Sequence, residues 1–172
     1  MGLVLLLGGA RSGKSRLAVR LATERGGPVV FVATGEACDD EMAERIASHR
    51  AERPAGWRTV EEPVALRDAL AAVPPGPTVV VDCLSLWVAN LLEARTAAEI
   101  EHEARDAAAL AAARETIAVS NEVGLGVVPA TPSGRAYRDV LGRVNAIWAE
   151  AATDQAYFVV AGRVLPLREL GG

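Results

Sequence analysis

The sequence predicts an α/β fold in which a mostly parallel β-sheet is covered by helices on both faces. Short, continuous apolar runs alternate along the chain with longer segments of helical periodicity. Such runs are typical of strands that are buried on both sides. No repeat or low-complexity linker divides the 172 residues, and a chain of this length usually forms one domain. We therefore expect a single domain spanning residues 1–172.

The predicted elements follow one another in regular order. Strands are expected at residues 3–7, 29–33, 78–81, 116–120, 157–161 and 164–167. Helices are expected at residues 15–25, 96–114 and 135–152. A further helix is expected to begin near Asp39, because its side chain suits an N-cap. Residues 123–134 are interpreted as a glycine-punctuated loop. Ligands bind beyond the carboxyl ends of the strands in sheets of this kind, so functional residues are expected just after each strand.

Composition narrows the classes of function. The net charge of −4 argues against a general nucleic-acid binder, which usually needs a basic excess. The apolar run at residues 3–7 is far too short to span a bilayer and lacks the basic start of a signal peptide, so we expect a cytoplasmic protein. Cys38 and Cys83 show no paired metal spacing and are interpreted as reduced, packed thiols.

The clearest motif is a phosphate-binding loop between the first predicted strand and helix. It matches G-x-x-x-x-G-K-[ST] and consists of Gly8, Gly9, Ala10, Arg11, Ser12, Gly13, Lys14 and Ser15. The glycines let consecutive backbone N–H groups point at phosphate oxygens, and the following helix directs its positive end to the same place. Lys14 is expected to reach the β- and γ-phosphates and the Ser15 hydroxyl to bind Mg²⁺. The sequence therefore predicts a nucleoside triphosphate site.

An acidic residue is expected to complete this site. Asp82 follows the predicted strand at residues 78–81, where P-loop proteins carry a carboxylate that holds magnesium or its water. The same carboxylate could cap the next helix, and the two roles are compatible. Ser15 and Asp82 are thus the predicted metal ligands.

His49 has two possible interpretations. In helical register Met42, Ile46 and His49 share one face, and a histidine on an apolar face is most often a packed core residue. However, Arg50 and Arg53 lie beside it, and guanidinium groups match phosphoryl oxygens. A neutral imidazole can attack the α-phosphate of a nucleotide and form a phosphoramidate. His102 lies among glutamates and is expected on a solvated helix face.

Four stretches together resemble one family. They read GGARSGKS at 8–15, DDEMAERIASHRAERPAGWRTVEEP at 39–63, VVVDCLSLWVANLL at 79–92, and SNEVGLGVVP with GRVN at 120–129 and 142–145. The chain resembles the bifunctional adenosylcobinamide kinase / adenosylcobinamide-phosphate guanylyltransferases of cobalamin biosynthesis. The resemblance covers nearly the whole chain, with the motifs in the family's order.

The resemblance implies a role for each matching position. His49 matches the guanylylated histidine, and residues 8–15 match the nucleotide loop. Further nucleotide contacts are implied at Ala33, Thr34, Gly35, Arg50, Ala51, Glu52, Arg53, Glu61 and Asp82. The implied fold is a RecA-like P-loop NTPase domain, and the implied assembly is a propeller-shaped homotrimer with sites between subunits.

Two reactions are implied for one chain. ATP or GTP would phosphorylate the aminopropanol hydroxyl of adenosylcobinamide. GTP would then guanylylate His49, and adenosylcobinamide phosphate would take the GMP to give adenosylcobinamide-GDP. Two alternatives are a P-loop kinase of another small metabolite without a covalent intermediate, and a nucleotide-dependent switch or binding module.

Other polar residues have weaker claims to a function. Asn121 and Glu122 follow a predicted strand and either face the substrate or form a structural turn. Arg135, Arg138, Arg143 and Asn145 either meet the phosphate of the corrinoid or form an exposed helix face.

Overall fold

The computed structural model describes residues 2–36, 40–51, 53–152 and 155–168. The side chains of Glu41, Met42, Arg45, Ser48 and His49 lie outside this description, although their backbone belongs to a helix. The predicted N-cap at Asp39, the thiol of Cys38 and the nucleotide position Glu52 also lie outside the described residues.

Seven strands and six helices form the described part of the chain. In order they are β1 (Leu3–Gly8), α1 (Lys14–Arg25), β2 (Val29–Ala33), α2 (Asp40–Ala51), β3 (Arg58–Glu61), α3 (Leu66–Ala72), β4 (Thr78–Asp82), α4 (Leu84–Leu91), α5 (Ala97–Ala112), β5 (Thr116–Asn121), α6 (Pro132–Ala152), β6 (Ala156–Val160) and β7 (Arg163–Leu167). None of these helices combines the length and the apolar character needed to cross a membrane.

The strands form one sheet in the order β3-β2-β4-β5-β1-β6-β7. All neighbours pair in parallel except β6 and β7, which form an antiparallel hairpin. The mostly parallel α/β P-loop fold expected from the sequence is confirmed. One strand, β5, separates the strand that leads into the phosphate loop from the strand that ends in Asp82. The carboxyl ends of β1, β2, β3, β4 and β5 meet at one edge of the sheet.

Helices cover both faces of the sheet, and side chains of β1 alternate between them. Leu3 and Leu5 pack in the larger core cluster, with residues of α3, α4, α5 and α6. Val4 and Leu6 pack in the second cluster, with residues of α1. This period-two alternation lets each strand contribute to two cores. Burying one leucine fully stabilises the fold by about 1.5–3 kcal/mol, so the central strand is held strongly from both sides.

Three elements were not expected from the sequence, and helix α6 begins three residues earlier than predicted. The additional elements are β3, α3 and α4. A helix after Asp82 was considered only as one that this carboxylate could cap, without bounds. Helix α6 begins at Pro132, whereas residues 132–134 were expected to belong to the loop. Proline is favoured at the first helical position, where its missing N–H would have no partner. The preceding Thr131 accepts a hydrogen bond from the Gly134 N–H at 3.1 Å, which is the contact an N-cap side chain makes.

The hairpin of β6 and β7 turns directly beside the phosphate loop. Its two turn residues, Ala161 and Gly162, both have positive φ, of 50° and 71°, as a type I′ turn requires. The Gly162 N–H donates a hydrogen bond to the Ser12 carbonyl at 3.0 Å. The outer hairpin therefore supports the loop from one side.

Candidate functional site

The phosphate loop has the conformation that its glycines permit. Gly8 ends β1 with φ of 154°, and a Cβ there would collide with the Val159 carbonyl oxygen. Gly13 has φ of 101° and occupies the N-cap position of α1. A residue with a side chain would be strained at both points. The loop therefore curls tightly between the central strand and the start of a helix.

Lys14 is placed to meet an anion in this loop. Only 6% of the residue is exposed, and its Nζ donates hydrogen bonds to the Gly9 carbonyl at 2.6 Å and the Ser12 Oγ at 3.4 Å. Helix α1 has no acidic residue in its first turn and no side-chain cap. Its N-terminal N–H groups and the Lys14 ammonium thus act with the same sign, which favours a bound phosphate.

Thr34 connects the ends of β2 and β4. Its fully buried hydroxyl donates to the Cys83 carbonyl at 2.6 Å and accepts from the Cys83 N–H at 2.8 Å. Its backbone N–H donates to the Asp82 carbonyl at 3.2 Å. These contacts fix the backbone that directly follows the Asp82 side chain, at the edge of the sheet where β2 and β4 end. The N-cap of α4 is Cys83, so Asp82 does not occupy the N-cap position of the next helix.

Asn90 extends this connection, and it was not predicted as a site residue from the sequence. Its Nδ2 donates to the carbonyls of Thr34 at 2.9 Å and Pro63 at 3.0 Å. A helix residue thus fixes the backbone that follows both β2 and β3. The only sequence signal was an amide in an otherwise apolar helical stretch, LSLWVANL.

Cys83 is buried beside the same edge. Burial raises the pKa of its thiol to about 11, the Asp82 carboxylate adds to this, and the Ser85 hydroxyl opposes it. The Sγ lies 2.9 Å from the Ser85 Oγ. The prediction of a packed thiol is confirmed for Cys83.

Arg53 is held over an aromatic ring next to Asp82. Its Cζ lies 3.7 Å from the centre of the Phe31 ring, and one Nη donates to the Thr59 Oγ1 at 3.4 Å. Trp57 stacks on Phe31 with 6.4 Å between ring centres. Burial lowers the pKa of Arg53, while the Asp82 carboxylate opposes that shift. The Arg53 Nε is buried and has no hydrogen-bond partner within the described residues.

The remaining predicted nucleotide positions surround α2. Arg50 forms an ion pair with Glu61 at the end of β3, and both side chains are more than half exposed. A Cβ on Gly35 would lie 3.2 Å from Leu86 and 3.5 Å from Ile46. The absence of a side chain at Gly35 therefore lets α2 approach the sheet.

Helix α2 itself carries three of the predicted site residues, His49, Arg50 and Ala51. Ala51, at its end, is exposed. Ala33, the buried last residue of β2, pairs with Glu61 of β3 across the sheet. His49 belongs to α2 by its backbone, and its side chain lies outside the described residues.

The end of β5 corrects one weaker expectation. Asn145 is only 5% exposed, its Oδ1 accepts from the Ser120 Oγ at 2.6 Å, and its Nδ2 donates to the Asn121 carbonyl at 3.0 Å. Both ends of its amide are engaged inside the protein, so Asn145 does not face a ligand phosphate. Arg143 pairs with Glu101 at 2.5 Å. His102 is largely exposed, as expected.

The available oxygen donors suit magnesium. Ser15 offers a hydroxyl and Asp82 a carboxylate, and Mg²⁺ prefers such ligands together with water and substrate phosphates. The described residues contain no group of three or more histidines, cysteines or carboxylates that could form a complete metal site alone. The donor set therefore fits a magnesium ion that arrives with a nucleotide.

The sheet and the phosphate loop define the class: this is a P-loop nucleotide-binding protein. Residues 4–167 match the model of the cobinamide kinase / cobinamide phosphate guanyltransferase family. The chain belongs to this family, and the resemblance found in its motifs is confirmed.

Curated relatives match almost end to end. The bifunctional adenosylcobalamin biosynthesis protein CobP of Pseudomonas aeruginosa is 47% identical, with 95% of this chain and 96% of the relative covered. The bifunctional adenosylcobalamin biosynthesis proteins CobU of Escherichia coli and Salmonella typhimurium are each 38% identical, with 93% of this chain and 96% of each relative covered.

Proposed function

We propose that this protein catalyses two consecutive steps of cobalamin biosynthesis, as adenosylcobinamide kinase and as adenosylcobinamide-phosphate guanylyltransferase. The observation that carries the proposal is the family match over residues 4–167, in a chain whose phosphate loop has the required strand–loop–helix context. A P-loop kinase of another metabolite is not favoured, because the curated relatives are named as bifunctional adenosylcobalamin biosynthesis proteins.

In the kinase step the triphosphate of ATP or GTP lies on residues 8–15. Lys14, which now donates to loop oxygens, would transfer its hydrogen bonds to the β- and γ-phosphates. The substrate hydroxyl attacks the γ-phosphorus, the bond to the bridging oxygen breaks, and the hydroxyl proton is released. The loop N–H groups and Lys14 stabilise the charge that develops during transfer.

In the guanylyl-transfer step His49 is the nucleophile. A ring nitrogen of neutral His49 attacks the α-phosphorus of GTP, pyrophosphate leaves, and a phosphoramidate forms. A phosphate oxygen of adenosylcobinamide phosphate then attacks the same phosphorus, and the P–N bond breaks to give adenosylcobinamide-GDP. Arg50 and Arg53 follow His49 on the chain, and guanidinium groups suit contact with nucleotide phosphates.

Ser15 and Asp82 would hold Mg²⁺ in both reactions. The ion would supply positive charge that neutralises phosphate oxygens. The other nucleotide contacts proposed are those at residues 33–35 and 50–53 and at Glu61. Ala33 and Glu61 end β2 and β3, and Arg50 pairs with Glu61.

Labelling with nucleotide tests the covalent step. The purified protein is incubated with Mg²⁺ and α-³²P-GTP, and protein-bound label is tested for acid lability and stability in base, the profile of a phosphoramidate. His102→Ala is the matched control, because the only other histidine in the sequence is exposed on α5. Label is expected on the parent and on His102→Ala and not on His49→Ala. Equal label on all three proteins would refute the role of His49.

We further propose a homotrimer that acts in the cytoplasm, where its nucleotide substrates are available. The outermost strand β7 supports self-assembly, since Val164, Leu165 and Leu167 are exposed apolar residues on it. Light scattering that gives three chain masses is expected, and a single chain mass would contradict the proposal.

A further inference from the structure

The segment that follows β5 leaves the sheet beside the phosphate loop. Asn121, the last residue of β5, pairs with Gly8 in the sheet. The next residue, Glu122, donates its N–H to the Gly8 carbonyl at 3.0 Å. Anything that contacts residues 123–128 therefore lies close to the place where the triphosphate is proposed to bind.

Hydrogen bonds hold both ends of this segment. Asn145 binds the Asn121 carbonyl at one end, and the Glu122 carboxylate accepts from the Gly124 N–H. At the other end the Arg135 guanidinium donates to the Pro129 carbonyl at 3.0 Å and the Ala130 carbonyl at 2.9 Å. The segment is thus a loop with a fixed base.

Residues 125–128, here called the apolar loop, expose large hydrophobic side chains. Leu125 is 80% exposed, Val127 95% and Val128 62%. Soluble proteins rarely leave consecutive apolar side chains in water without a function. The loop also carries no charge of its own, because it reads Leu-Gly-Val-Val. It is therefore suited to a ligand with an apolar surface.

A groove continues from the base of the apolar loop along α6. Its volume is about 390 Å³, and it is lined by Gly124, Arg138, Asp139, Gly142, Arg143 and Ala146. The site thus offers an apolar surface next to an open groove whose lining residues include the charged Arg138, Asp139 and Arg143. Cobinamide has the complementary form, because its corrin ring has apolar faces and its rim carries polar amide side chains.

We propose that the apolar loop binds one face of the corrin ring of the acceptor substrate, with the groove receiving amide groups of its rim. This rests on the proposed function, which requires the acceptor hydroxyl to reach the γ-phosphate beside Gly8. The size of the patch agrees: three side chains expose on the order of 300 Å², whereas each partner in a stable protein–protein interface buries about 800 Å². A small macrocycle fits this area better than a second copy of the chain.

The test compares acceptor and nucleotide affinities in a variant with a polar loop. Leu125→Ser/Val127→Ser changes only exposed side chains, and Val160→Ser removes an exposed apolar side chain from β6 as the control. Cobinamide binding is followed by equilibrium dialysis with its visible absorbance, and KM values are measured with γ-³²P-ATP. The double variant is expected to bind cobinamide at least about tenfold more weakly, with an unchanged KM for ATP and unchanged labelling by α-³²P-GTP.

Several results would overturn the proposal. An unchanged affinity for cobinamide in the double variant would do so, while leaving the proposed function intact. A smaller particle mass of the double variant than of the parent would assign the apolar loop to contact between copies of the chain. Failure of the parent itself to bind or phosphorylate cobinamide would refute the proposed function and this inference together.

Discussion

Replacing Phe31 by leucine tests whether the aromatic ring positions Arg53 for nucleotide binding. The guanidinium lies 3.7 Å above the ring centre in a partly buried environment. A cation–π contact of this kind contributes about 1–2 kcal/mol. Leucine keeps an apolar side chain at a buried position but removes the π face. If the contact orients Arg53 toward the nucleotide, its loss weakens nucleotide binding by about five- to thirtyfold.

The assay is calorimetric titration with a GTP analogue that has a methylene α–β bridge, because it cannot react with His49. Val32→Ala is the matched control: Val32 is the next residue of β2 and is fully buried, but its side chain packs in the other core cluster. We expect Val32→Ala to lower the free energy of unfolding by about 2 kcal/mol without changing the affinity for the analogue. An analogue affinity of Phe31→Leu within twofold of the parent would refute the reasoning.

Three further predictions concern stability. Thr116→Val is expected to raise the free energy of unfolding by about 1 kcal/mol in urea denaturation, because the buried Thr116 hydroxyl has no hydrogen-bond partner among the described residues; a lower stability would contradict this. Burial raises the pKa of the Cys83 thiol from 9.0 to about 11. Because the folded state holds the thiol proton more tightly than the unfolded state, the contribution of this group to stability is complete only below about pH 9. Roughly 2–3 kcal/mol of that stability should disappear as the pH rises from 9 to 11, and urea denaturation across this range should show a shallower loss for Cys83→Ala. Arg114→Met is expected to lower the free energy of unfolding by about 2 kcal/mol, since its guanidinium donates to three carbonyls at the end of α3; Arg67→Met, which breaks only an exposed pair, should have little effect on the thermal midpoint.

The buried strands were predictable because they must be apolar on both faces. Residues of β1, β2, β4 and β5 form continuous apolar runs for this reason. The strand β3 was missed because it is a short, half-exposed edge strand whose only neighbour in the sheet is β2. Helix α4 was missed because it is buried around most of its circumference, which removes the helical periodicity that reveals an amphipathic helix.

Some residues of the candidate site were likewise predictable from the sequence, and others were not. A contiguous motif predicted the phosphate loop, and strand position predicted Asp82 as a metal ligand. The contact of Thr34 with Cys83 joins residues 49 positions apart, and the position of Arg53 over Phe31 likewise depends on the folded sheet. Side-chain pairs of this kind follow from strand order, which spacing along the chain does not reveal.

The turn of the outer hairpin connects the edge strand β7 of the sheet to the phosphate loop. Gly162 binds Ser12 through its backbone, and the residue after Gly162 already belongs to β7. In the proposed homotrimer, a neighbouring subunit that covers β7 would therefore contact a strand that begins one residue after the hydrogen bond to the phosphate loop. If the proposed homotrimer packs through β7, the affinity for GTP would depend on protein concentration.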